Sequence, residues 1–334
     1  MIIFLRYFLA VLAFGVFCFP AFARAHYDER EDIQSWIADF ARRENINPEY
    51  LSYYLQKAQP QSNVLSLMDA PIKAPLSWNS YAPRFLNEGR IDGGVLFWMV
   101  NKPYLEQASR FFGVPQEIIV AIIGIETHYG RNMGKFPVLD TLSTLAFDYP
   151  RRADYFRAEL EHFFLLSIDN QFEITQLRGS YAGAMGIAQF MPRSYRYYAV
   201  DFDGDGKINL WQTADAIGSI GFYLHEHGWK HSGRLLSGAM ILNEAAVLPL
   251  LDDGFSKSRS WKEWRALGVI LSSDEIAIHD DESVSLMALE IAKNNTGYYL
   301  AHDNFHVVMR YNKSYMYATA VAQLARAIAA QRYR

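Results

Sequence analysis

Residues 113–131 read GVPQEIIVAIIGIETHYGR. Pro115 sits where a helix begins, in the first turn, where its missing N–H does no harm. Ile118 to Ile125 is then apolar on every side, which marks a helix buried all round rather than one with a solvent face. Glu126 follows that run directly. A carboxylate at the end of so apolar a helix is costly to ionise, so desolvation should raise its pKa toward the range of a general acid. A Glu paired with a buried arginine such as Arg131 is the other reading of the same residues. Glu117 is first-turn charge on the helix dipole.

A second stretch, residues 179–192, reads GSYAGAMGIAQFMP. Small residues at 179, 182, 183, 184 and 186 let backbone or ligand approach closely. Gln189 is the one strong amide in an apolar neighbourhood, and Ser180 places a hydroxyl at its mouth. Such a set can grip the N-acetyl and hydroxyl groups of a sugar; close helix packing is the alternative.

A third stretch, residues 201–212, reads DFDGDGKINLWQ. Asp201, Asp203 and Asp205 at positions 1, 3 and 5 and Gly206 at position 6 fit an EF-hand loop, in which Lys207 need offer only its carbonyl. Position 12 is Gln212 instead of Glu; Asp215, three residues on, is placed to supply the missing carboxylate. Clustered aspartates repel unless a cation lies between them, so a structural Ca²⁺, with Na⁺ as the other choice, is expected. An ordinary solvated acidic loop is the alternative.

Around these stretches the chain is ordinary globular material: 334 residues, 51% hydrophobic and 20% charged, with net charge −4. A mildly acidic chain lacks the basic footprint of a nucleic-acid binder. Residues 1–25 form a separate object: Arg6, an apolar run of 13 residues from Tyr7 to Phe19, then Pro20 and small-x-small sites at 21–25. This is the pattern of a secretory signal peptide, too short for the ~20 residues that span a bilayer. Its removal takes the single cysteine, Cys18, and leaves 30 basic against 36 acidic side chains, net −6. Phe17 before Cys18 is not the small residue of a lipoprotein site, although outer-membrane association stays open.

The expected architecture is mainly α with a small antiparallel β domain (α+β). Residues 26–110 form an N-terminal helical region, irregular over 59–84 where Pro60, Pro71, Pro75 and Pro83 fall. Residues 111–230 form the core that carries the motifs, with the EF-hand-like loop at 201–215. Residues 231–312 form the β domain, with β-type composition at 284–291 and 298–311. Residues 313–334 return as a helix that packs on the helical region. His225, His227 and His231 lack a zinc pattern. Asp252-Asp253 and Asp280-Asp281-Glu282 read as solvated turns, and no phosphate-cradling glycine loop follows a strand.

Taken together, Glu126-Thr127-x-Tyr129-Gly130 and the Ser180–Pro192 segment resemble the lytic murein transglycosylase B family of the lysozyme-like superfamily. Residues 145–153 (LAFDYPRRA), the Asp201–Trp211 loop, Asp215-Ala216-Ile217, Tyr311-Asn312 and Ser77-Trp78-x-x-Tyr81 extend the resemblance over about 33–330. It implies a lysozyme-like catalytic core and cleavage of the β-1,4 bond between N-acetylmuramic acid and N-acetylglucosamine, with a 1,6-anhydromuramic end. Glu126 matches the catalytic acid and base. Ser180, Gln189, Tyr223, Tyr311, Asn312 and Tyr317 match glycan-groove positions, as do Tyr81, Phe190 and Met191. Arg151 and Arg152 match a pair beside the stem peptide's carboxylates. The implied partners are peptidoglycan glycan strands and other cell-wall enzymes. The implied setting is the periplasm, with a monomer and no organic cofactor. Arg193, Gly221-Phe222 and His306 depart from the family pattern near the groove. A muramidase hydrolysing the same bond and a non-catalytic glycan-binding protein are the rival readings.

Overall fold

The computed structural model describes residues 26–70, 77–273 and 275–333; the signal-peptide reading of 1–25 lies outside them. The apolar run forms the Gln116–Thr127 helix, with Pro115 as its N-cap, one residue before the expected place. Residues 119–123 have no exposed surface at all. That requires neighbours on every side, and four helices supply them: Glu88–Val100, Lys102–Phe112, Thr213–Glu226 and Tyr315–Arg332. Each fully buried isoleucine contributes roughly 1.5–3 kcal/mol, so this rod is strongly held.

The N-terminal helices Glu31–Glu44 and Pro48–Lys57 pack together across a tight reversal. Asn45 turns it in the left-handed region (φ 55), and Asn47 caps the second helix by accepting from Glu49 N at 3.0 Å. The Val138–Phe147 and Ala153–Asn170 helices pair alongside. One continuous apolar core runs from Tyr27 to Ile328.

The late β region is an antiparallel sheet, in the order 251–252, 255–256, 283–292, 295–301, 236–241, 269–271. Its two faces follow the period of two. Val284, Leu286 and Leu300 join a small second core with Trp261 and Trp264, whereas Met287, Leu289 and Ala301 join the main core.

Three expectations are corrected. The β-type stretch 298–311 is strand only to Ala301; Asp303–Tyr311 is a helix. Its Phe, Val and Tyr favour strands, but Asn304, Phe305 and Val308 fall on one helical face and are buried. The region 59–84 contains a helix at Ser62–Met68 and a helical turn at Trp78–Tyr81, because its prolines lie outside both. In the 280–282 turn Asp280 and Asp281 are exposed, but Glu282 binds the buried His302 Nδ1 at 2.6 Å. Ser237 Oγ meets the same ring's Nε2 at 2.9 Å.

Candidate active site

Glu126 occupies the last turn of the Gln116–Thr127 helix, just before the chain breaks direction. His128 and Tyr129 are both left-handed (φ 52 and 62), and Gly130 follows at φ 80. The buried Thr127 fixes this corner, donating to Ile187 O at 3.1 Å and accepting from Gly130 N at 3.0 Å. Tyr317, 2% exposed, donates its hydroxyl to Glu126 Oε1 at 2.6 Å. Glu126 keeps partial exposure to a cleft, yet protein surrounds its carboxyl closely enough that desolvation pushes its pKa to about 7. The Tyr317 hydrogen bond acts in the opposite direction and is the smaller effect. Among the described residues no cation pairs with Glu126, so the arginine-paired reading does not describe it.

The cleft in front of Glu126 encloses about 660 Å³ and holds no other carboxylate among its described lining. One wall is the loop carrying Arg131, Asn132 and Lys135; the facing wall carries Ser180, Tyr181 and Gln189. The two walls meet main chain to main chain: a Cβ on Gly134 (φ 92) would lie 2.0 Å from Gly179 O. Gln189, itself left-handed at φ 51, ties them by donating to Met133 O at 3.1 Å and Gly186 O at 2.9 Å. With both amide protons engaged, its carbonyl oxygen is the group left for a ligand. Ser180 Oγ accepts from Ala182 N and Ala184 N at 3.2 and 3.0 Å, which leaves its own proton to donate.

An aromatic series continues from Glu126. Tyr317 lies 6.4 Å from Tyr311 with the rings nearly parallel, and Tyr311 lies 5.0 Å from Tyr223 and 5.7 Å from Phe190. Tyr311 is anchored to Ala188 O and Tyr223 to Arg310 O, each through its hydroxyl. Burial, then the neighbouring Glu126 charge, holds the Tyr311 and Tyr317 phenols well above their ordinary pKa. Tyr81 feels the same charge after burial. Met191 caps the Pro192–Tyr198 helix, and Asn312 is exposed at the end of the Asp303–Tyr311 helix.

Not every candidate comes to this cleft. Arg151 and Arg152 lie in an exposed turn outside its lining; Arg151 pairs with Asp69 at 3.1 Å and Arg152 lies over the Tyr155 ring at 4.2 Å. Asn132 and Lys135 line the cleft without having been singled out in the sequence; their signal was closeness to Glu126 along the chain, Asn132 past Gly130 and Lys135 past Gly134.

In the acidic loop, carboxylate oxygens of Asp201, Asp203 and Asp215 lie within 4.8 Å of one another. Asp215 is fully buried and accepts from Phe202 N at 2.8 Å and Asn209 N at 2.7 Å. Burial raises its pKa, and the charges of Asp203 and Asp201 add to the rise. Asp205 stands apart and accepts from Lys207 N at 2.8 Å; the Lys207 side chain is exposed. Later in the loop, Leu210 O receives Ile187 N at 2.8 Å, joining it to the Gln189 wall.

Comparison with known proteins places the chain in a family. The transglycosylase SLT domain model matches residues 28–326. The chain is 41% identical over 310 residues to the membrane-bound lytic murein transglycosylase B of Escherichia coli strain K12, covering 90% of this chain and 83% of that one. Its fold superposes on the soluble lytic transglycosylase SltB1 of Pseudomonas aeruginosa at a TM-score of 0.84 and 41% identity, covering 90% of this chain and 99% of the other. It also superposes on the Escherichia coli lytic transglycosylase Slt35 in complex with calcium, at a TM-score of 0.82 and 40% identity, covering 90% and 93%. A family match over residues 28–326 and 41% identity to a lytic murein transglycosylase leave one assignment: the chain belongs to the SLT transglycosylase family and is a peptidoglycan lytic transglycosylase.

Proposed function

We propose that Glu126 performs the whole proton chemistry of the lytic reaction, first as acid and then as base. The observation that carries this reading is a lone carboxyl in the cleft with its pKa at about 7. Glycosidases that rely on protein groups alone use two carboxylates; with one, the substrate must supply the nucleophile. The protonated Glu126 gives its proton to the oxygen leaving with N-acetylglucosamine. The muramic 2-acetamido carbonyl oxygen bonds to the anomeric carbon as that bond breaks. The Glu126 carboxylate then takes the proton of the muramic O6 hydroxyl, and O6 displaces the acetamido oxygen to close the 1,6-anhydro ring. No water is consumed. Asn312 or Ser180 orients the acetamido group; Gln189, Phe190, Met191, Tyr81, Tyr223, Tyr311 and Tyr317 line the glycan path. Arg151 and Arg152, outside the cleft, meet stem-peptide carboxylates.

Asp201, Asp203 and Asp215 hold a Ca²⁺, with Asp205 and the Lys207 carbonyl at its edge. Three mutually repelling carboxylates, one of them fully buried, suit a hard cation with oxygen ligands. Its part is structural, since the loop is bonded to the Gln189 wall through Leu210. The place of action is the periplasm, where the substrate lies. Among the described residues no single helix is long and apolar enough to cross a membrane.

The test is digestion of purified peptidoglycan by the chain and by Glu126→Gln, with products weighed by mass spectrometry. Muropeptides lighter by one water than the reducing forms, absent with Glu126→Gln, are expected. Reducing ends would replace this mechanism with hydrolysis, and an active Glu126→Gln would remove Glu126 from it. Loss of a general acid should cost roughly 10²–10⁴-fold.

A further inference from the structure

Arg90 lies near the start of the Glu88–Val100 helix, where Asn87 Oδ1 accepts its N–H at 3.1 Å. It touches the corner around Glu126 twice. Its Nη1 donates to the carbonyl of Gly124, and its own carbonyl accepts the Tyr129 hydroxyl at 2.7 Å. Gly124 and Tyr129 stand two residues before Glu126 and three after it. The Tyr129 ring fills the gap between the two helices. A Cβ at Gly124 would sit 2.6 Å from its hydroxyl oxygen, and one at Gly93 would lie 2.9 Å from the ring. These glycines let the two helices approach closely enough for both bonds.

The guanidinium is half-buried, 5.5 Å from the Phe85 ring, and its buried Nε has no hydrogen-bond partner. Burial lowers its pKa. Among the described residues no carboxylate forms an ion pair with it. A cation placed there at such cost has one strong contact, the Gly124 carbonyl near the helix C-terminus, which favours positive charge.

We infer that Arg90 is a positioning residue for Glu126. With Tyr129 it staples the backbone on both sides of that residue, so the carboxyl stays on the Tyr317 hydroxyl and at the reacting oxygen. This rests on the reading of Glu126 as the proton donor.

The test assays Arg90→Met, Arg90→Lys, Tyr129→Phe and the Arg90→Met/Tyr129→Phe pair on purified peptidoglycan. Glu126→Gln is run alongside, and thermal melting shows which variants are folded. Arg90→Met should lower kcat by about 10- to 100-fold with KM little changed, since small misplacements of a catalytic group carry penalties of that size. The basic limb of its pH profile should move to higher pH as the carboxyl loses the Tyr317 bond. Arg90→Lys should recover part of the rate. Tyr129→Phe should lose less, and the pair should be no worse than Arg90→Met alone, because the two contacts act as a unit. A folded Arg90→Met with unaltered kcat, or with a lowered kcat and an unmoved pH limb, overturns the inference. If Arg90→Met does not fold, Tyr129→Phe and Arg90→Lys are read by the same kcat and pH criteria. An inactive Glu126→Gln beside an unaffected Arg90→Met defeats the staple alone; an active Glu126→Gln defeats the reading beneath it.

Discussion

The molecule contains two acidic centres built on opposite principles. At Glu126 one carboxyl is held among aromatic rings and meets a single hydroxyl, so burial dominates and the proton is retained near neutrality. In the 201–215 loop, carboxylates crowd together, and nearly every recorded partner is a backbone N–H. The first arrangement makes a proton movable; the second holds the chain in one shape and leaves charge to be neutralised from outside. The same functional group serves chemistry or architecture according to what surrounds it.

The contrast breaks most easily within the loop. Asp215→Ala strands two backbone N–H groups and should cost about 4 kcal/mol of stability, counting roughly 1–3 kcal/mol for each donor left unpaired. Asp205→Ala, on the exposed side, should stay within about 0.5 kcal/mol. Equal losses in urea unfolding would erase the distinction between holder and bystander.

Next comes the cost of burying Glu126. Its folded pKa is raised from 4.5 to about 7, so ionisation opposes folding. Below the ordinary value the group is neutral in both states and the penalty vanishes; as pH rises through about 7 it applies in full. Glu126→Gln should therefore be more stable than the parent by up to about 3 kcal/mol at pH 8 and indistinguishable at pH 4. Destabilisation at pH 8 would mean that the carboxylate is favourably held after all.

Calcium sharpens the other side. At a hundredfold excess over its dissociation constant it should stabilise the parent by about 2.7 kcal/mol, and Asp203→Ala should blunt the response. An unchanged melting temperature would return the loop to an ordinary acidic turn. The smallest effect is expected at Tyr317. Its hydrogen bond lowers the Glu126 pKa, so Tyr317→Phe should move the basic limb of kcat/KM to higher pH. No movement would show that the hydroxyl does not meet the working carboxyl.

Much of this was legible in the sequence. The unbroken apolar run of 118–125 announced a rod with neighbours on all sides, and Glu126 at its end announced a carboxyl under desolvation. The Asp spacing pointed to Asp201, Asp203 and Asp215, which do lie together, whereas Asp205 stands apart. What could not be read were groups whose role depends on distant chain. Tyr317 was expected only along the groove, and its bond to Glu126 spans 191 residues; Glu282 meets His302 across a strand pair. The Asp303–Tyr311 helix was hidden for another reason: β-favouring residues there obey a helical burial pattern imposed by the core.

The seam between Gly134 and Gly179 limits how this cleft can change. A Cβ at Gly134 would run into the Gly179 carbonyl across the seam, and a Cβ at Gly179 would run into the Ala184 carbonyl of its own wall, so neither position can carry a side chain without displacing backbone. A laboratory library aimed at bulkier or differently decorated glycans would therefore find its useful variation at Arg131, Lys135 and Tyr181, where the lining is side chain, and would lose almost every clone altered at the two glycines.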